Sequence, residues 1–118
     1  MNIINNRYLI VDDNKHINIY DINKHNHHPI TILKGHKDDI TNINYNNKTN
    51  KLYSISYDKT LREWDIENKK ELRMIKFDRY PWCMELFNNK EYLIIGCVGG
   101  LIKLIFVFIC FCFYLFVY

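Results

Sequence analysis

Residues 35–65 read GHKDDITNINYNNKTNKLYSISYDKTLREWD, opening on Gly35-His36 and closing on Trp64-Asp65. The middle of this stretch alternates in polarity over strand lengths. Leu52-Tyr53-Ser54-Ile55-Ser56 is one such run, and Leu61-Arg62-Glu63-Trp64-Asp65-Ile66 is the next. Tyr57-Asp58-Lys59-Thr60 supplies turn residues between them, which makes a β-hairpin. Upstream, Ile40, Ile43 and Tyr45 mark another strand, closed by the Asn/Lys/Thr-rich turn at 46–51. Downstream, Glu67-Asn68-Lys69-Lys70 turns the chain into a further strand over 72–77. Helical periodicity is absent before residue 90, so the chain reads as all-β.

The same pattern recurs on both sides. VDDNKHINIYD at 11–21, ISYDKTLREWD at 55–65 and GCVGGLIKLIF at 96–106 align without gaps. Asp21 lies 44 residues before Asp65, and Phe106 lies 41 residues after it. Both spacings suit a repeat of about 40–45 residues built from four strands, which is one blade of a β-propeller. The expected fold is a partial β-propeller of four-stranded antiparallel blades followed by an apolar carboxyl-terminal segment. The expected boundaries are a partial first blade at 1–34, a complete blade at 35–77, a degenerate third at 78–106 and a tail at 107–118.

Composition narrows the function classes. The chain has 118 residues, 48% hydrophobic and 15% aromatic, enough for one modest domain. Charged residues make up 25%, and a formal net charge of +3 with scattered Lys and Arg gives no basic face for nucleic acid. The amino end carries no secretory signal. Cys83, Cys97, Cys110 and Cys112 have no secreted disulfide framework, so reduced thiols and an intracellular, cytoplasmic location are expected. His25, His27 and His28 share a loop, but no Cys or carboxylate completes a metal set at a recognised spacing, and no cofactor is expected.

In the middle repeat the chain resembles the WD-repeat propeller family, through His36 in the loop leading into the blade, Ser54 on the second strand, Asp58 in the following turn and Trp64 on the third strand. The resemblance implies a structural tetrad, linked Trp64 to Ser54, Ser54 to His36 and His36 to Asp58. It also implies that partner proteins are met at the blade end bearing Lys37, Asp38 and Tyr57. The residue types suit a buried network, since an indole donates only, a hydroxyl does both and a carboxylate accepts. A catalytic Ser-His-Asp reading lacks a Gly-x-Ser-x-Gly nucleophile turn, so no catalytic residue is assigned. The flanking repeats depart from the pattern. The first has Tyr20 for the Trp, Asn14 for the Asp and Ile10 for the Ser, and it begins too late for an innermost strand. The third has Arg79-Tyr80-Pro81 for the Gly-His, Gly99 for the Asp and Ile105 for the Trp.

A closed propeller needs at least four blades, so this chain is either part of a longer propeller protein or completed by a partner. The carboxyl end is open to three readings. Residues 92–118 carry a single charge, Lys103, and residues 104–118 carry none. They can form an unrelated tail after residue 106, a membrane span whose lysine snorkels, or a buried hairpin. The sequence thus points to a non-catalytic protein-interaction scaffold, with a small tail-anchored membrane protein as the alternative.

Overall fold

The computed structural model describes residues 2–4, 6–87, 91–106 and 112–116. These form twelve strands in three antiparallel sheets of four, each taken in chain order. The first sheet holds β1 (Asn2–Ile4), β2 (Tyr8–Asp13), β3 (His16–Asp21) and β4 (Thr31–Lys34). The second holds β5 (Ile40–Asn46), β6 (Lys51–Ser56), β7 (Thr60–Asp65) and β8 (Lys70–Lys76), and the third β9 (Pro81–Phe87), β10 (Tyr92–Cys97), β11 (Leu101–Phe106) and β12 (Cys112–Phe116). The first strands of neighbouring sheets adjoin, β1 against β5 and β5 against β9. The sheets are therefore blades, stacked with their innermost strands around a shared axis.

Two cores lie between the three sheets. Ile10, Ile17, Ile19 and Leu33 of the first blade meet Ile40, Ile43, Leu52 and Trp64 of the second. On the other side Tyr53, Ile55 and Leu61 meet Met84, Leu93, Ile95, Leu101 and Ile105 of the third. Side chains alternate across a strand, so Leu52 and Tyr53 point into different cores. The middle blade buries both faces, and nearly all of β6 and β7 is buried. The flanking blades bury alternate residues only, as in β3 and β10. Leu9, Val11 and Tyr20 on the first blade, and Ile94, Ile102 and Leu104 on the third, remain half-exposed on their far faces.

Three sequence expectations are corrected here. The first blade does have an innermost strand, because three residues suffice once Arg7 N–H donates to Ile4 O (3.0 Å) to close a tight turn. Its Ser-equivalent position is Val11 rather than Ile10. Leu9 stands opposite Tyr20 as Leu52 stands opposite Trp64, and Val11 opposite Asn18 as Ser54 opposite Arg62. The β2–β3 turn has two residues where the β6–β7 turn has three, so a gapless alignment slips by one. In the third blade, Phe77 takes the place of His36. It precedes Ile95 by 18 residues, the separation of His36 from Ser54, and it is buried in the core shared by the two blades.

Of the three readings of the carboxyl end, the one within the propeller agrees with its described strands. The third sheet continues past residue 106, with β12 as its outer strand in register with β11, Leu101 opposite Phe116. Aromatic and apolar residues favour a pleated surface, and the edge of β11 offers unpaired backbone groups for them to join. Residues 92–106 form the β10–β11 hairpin of the blade. Among the described residues no helix is long and apolar enough to cross a membrane. Residues 107–111, 117 and 118 of the expected tail lie outside the described residues.

Candidate functional site

The inter-blade loops and the second hairpin turn of each blade gather at one end of the stack. Backbone bonds sew them together: Ile40 N–H to Asn14 O (2.8 Å), Tyr57 N–H to Asp39 O (2.9 Å), Phe77 N–H to Lys59 O (2.7 Å) and Val98 N–H to Tyr80 O (2.9 Å). Lys59 takes a left-handed conformation (φ 64°), which closes the three-residue β6–β7 turn with a bond from its N–H to Ser56 O.

Beneath this end lie His36, Ser54, Asp58 and Trp64. Trp64 Nε1–H donates to Ser54 Oγ (2.8 Å). Ser54 Oγ lies 2.6 Å from His36 Nε2, and His36 Nδ1 lies 2.9 Å from Asp58 Oδ2. One proton arrangement satisfies every atom: the serine hydroxyl donates to Nε2, and a neutral imidazole donates from Nδ1 to the carboxylate. Burial pushes the imidazole below its ordinary pKa, and the Asp58 carboxylate offsets this only in part. Burial pushes the Asp58 carboxyl up, but hydrogen bonds from the Thr60 hydroxyl, the Lys37 amide and His36 outweigh it and hold it below the usual carboxylate range. Asp58 thereby ties its own turn to the 35–39 loop, since Lys37 N–H also donates to Oδ2 (2.9 Å).

The two ends of the opening stretch meet here. A Cβ on Gly35 would lie 2.9 Å from both Trp64 Cη2 and Arg62 Nη1, so only glycine lets the loop lie flat on the indole. The His36 and Trp64 rings then meet edge to face at 6.2 Å. Distances alone would suit a Ser-His-Asp catalytic relay. Ser54, however, has no exposed surface and its oxygen already accepts from Trp64, so a substrate carbonyl has no approach.

The third blade replaces this polar set wholesale. Phe77, Ile95 and Ile105 occupy the places of His36, Ser54 and Trp64 within one apolar core. Lys103 stands where Arg62 does, with Nζ 4.7 Å above the Phe77 ring and 3.1 Å from Asp78 Oδ1. An apolar set leaves no polar atom stranded, which a partial substitution would have done.

Above the tetrad, the exposed surface is aromatic. Tyr57 meets Tyr80 at a ring separation of 6.3 Å and Trp82 at 6.0 Å. Of nine exposed large apolar side chains among the described residues, Tyr57, Tyr80, Trp82 and Val98 cluster here, and scattered singles would carry no meaning. They and Asp38 line a cleft of about 350 Å³. A second cleft of about 410 Å³ shares the Tyr57–Trp82 wall and is lined by Asp12, Asn14, Asp39, Ile40 and Thr41. Of the surface residues expected from the sequence, Tyr57 and Asp38 come together in the first cleft, whereas Lys37 is exposed and lines neither. Tyr80 and Trp82 were not singled out from the sequence. The only signal available was two large aromatics flanking Pro81 at a blade boundary.

A solved structure with the same arrangement is the WD40 domain of coronin from Toxoplasma gondii, with a TM-score of 0.75 over 85% of this chain at 14% identity. The fold is that of WD40-type propeller blades. The chain spans 28% of the length of that coronin structure. No protein-family model matches the sequence, and a search of curated proteins finds no match. At this identity the WD40 likeness bears on architecture, and the middle blade is the one that carries the full polar tetrad.

Proposed function

We propose that this chain is a protein-interaction scaffold without catalysis or cofactor, which meets partner proteins at the blade end where the loops converge. The observation that carries the reading is the clustering of Tyr57, Tyr80 and Trp82 on that end, above a rigid base. Exposed aromatics are the residues that most often anchor an interface. In this reading the tetrad has a positioning role. It fixes the β6–β7 turn against the 35–39 loop, so Tyr57 and Asp38 are presented without the cost of ordering them on binding. The half-exposed far faces of the first and third blades favour completion of the propeller by further blades, in the same polypeptide or from another. A cytosolic setting suits such a scaffold, whose Cys83 and Cys97 are free thiols among the described residues.

The test is quantitative partner capture from cells with the tagged full chain, comparing wild type with a Tyr57→Ala/Tyr80→Ala/Trp82→Ala variant and a Phe87→Ala surface control. The expected result is loss of specifically enriched proteins in the triple variant alone. Equal enrichment in all three proteins would refute the assignment of this surface.

A further inference from the structure

We propose that the cleft between the middle and third blades receives a cationic side chain, arginine or lysine, from a partner protein. The proposal rests on the scaffold reading and gives it a ligand chemistry. Three aromatic rings and the Asp38 carboxylate line the cleft, and no basic residue lines it or its neighbour. Asp12 and Asp39 lie beyond the shared Tyr57–Trp82 wall, so the aromatic wall is flanked by carboxylates on both sides. The faces of Tyr and Trp rings are electron-rich and attract a cation within about 6 Å.

The chain already uses this chemistry on itself. Lys59 Nζ sits 4.7 Å from the Tyr80 ring centroid, so a cation rests on a ring of this cluster. Arg79 is directed to the Val98 carbonyl at 3.5 Å, and Lys37, exposed beside Asp38, lines neither cleft. That leaves the Tyr57 and Trp82 rings, together with Asp38, as the receiving surface. A cleft of this size suits one long side chain with its adjoining backbone. An apolar or acidic segment would leave the carboxylates uncompensated or opposed, whereas a guanidinium or ammonium group pairs with Asp38 and stacks on the rings.

The chain's two tryptophans make the test direct. Trp64 is 2% exposed and Trp82 is 59% exposed, so quenching of emission by an added ligand reports on Trp82. The full chain is titrated with capped pentaglycine peptides whose central residue is arginine, lysine, citrulline, norleucine or glutamate. Arginine or lysine should quench saturably, and whichever binds more tightly names the source of the charge. Citrulline and norleucine should bind at least about tenfold more weakly, and 0.5 M salt should weaken the cationic peptides. Asp38→Asn and Tyr57→Ala, both exposed positions, should each lower affinity for the cationic peptide while the far-UV circular dichroism is unchanged. Citrulline or norleucine binding as tightly as arginine would overturn the cation assignment, as would tight binding of glutamate. Binding that ignores both substitutions, or no saturable binding by any peptide, would overturn the cleft assignment. Those results leave the scaffold reading to the partner-capture test, which fails separately.

Discussion

Replacing Ser54 by alanine tests the polar tetrad most sharply. The hydroxyl accepts from Trp64 and donates to His36, and all three side chains are buried. Its loss leaves the indole N–H and His36 Nε2 without partners where water cannot reach. Each stranded group costs roughly 1–3 kcal/mol, so the substitution should cost about 2–6 kcal/mol. That is a large share of the roughly 6–18 kcal/mol that typifies a chain of this length. Trp64→Phe removes the donor together with part of its ring, leaves the Ser54–His36 bond in place, and should cost about 1–2 kcal/mol from lost area and the void. In the double variant only His36 Nε2 is stranded. The double should therefore be about 1–3 kcal/mol less destabilised than the sum of the singles. Urea unfolding followed by far-UV circular dichroism measures all four corners without relying on Trp64 emission. Additivity within about 0.5 kcal/mol would refute the network as a coupled unit.

Further outcomes follow from the same geometry. His36 loses its proton more readily folded than unfolded, so stability should fall as pH drops through about 6.5, where the unfolded imidazole takes up a proton. Asp58, held low when folded, should add a second loss as pH falls below about 4, and a series of urea midpoints from pH 8 to 3 would trace both steps. His36→Gln should flatten the first step and spare the second. Gly99 has φ 85° and a Cβ there would run into the Arg79 guanidinium, so Gly99→Ala should cost at least about 1 kcal/mol and be visible as a lower Tm. Phe77→His should cost roughly 2–4 kcal/mol by urea denaturation, because Ile95 offers the ring no hydroxyl partner. Tyr57→Ala should leave the midpoint within about 0.5 kcal/mol, as its ring is exposed and outside both cores.

Much of the middle blade was legible because its residue types constrain one another. A buried indole needs an acceptor, and Ser54, His36 and Asp58 stand at spacings that a four-stranded sheet can bring together. The degenerate blades were harder to read. Tyr20 and Ile105 keep the register, but with no polar set to anchor the alignment, a one-residue difference in turn length in the first blade moved Ile10 into Val11's place, and in the third blade Phe77 carries no residue type that marks a histidine's place. Trp82 was invisible for another reason. Pro81 and Met84 on the same strand are buried while Trp82 and Cys83 between them are exposed, a pattern that strict alternation does not predict. The three-residue β1 and the outer strand β12 were missed because neither shows alternation over a length that a single sequence makes convincing.

The double-sided burial of the middle blade sets where this chain can change its length. Within β6 or β7 an inserted or deleted residue would exchange the faces of everything beyond it, carrying Ser54 or Trp64 into the wrong core and Tyr53 or Leu61 out of theirs. At the turns the same change is absorbed as a different loop, and the first blade already carries the two-residue version with its cross-strand pairs intact. Drift in length is thus confined to the turns at the two ends of the blade, and the strands between them keep a fixed count.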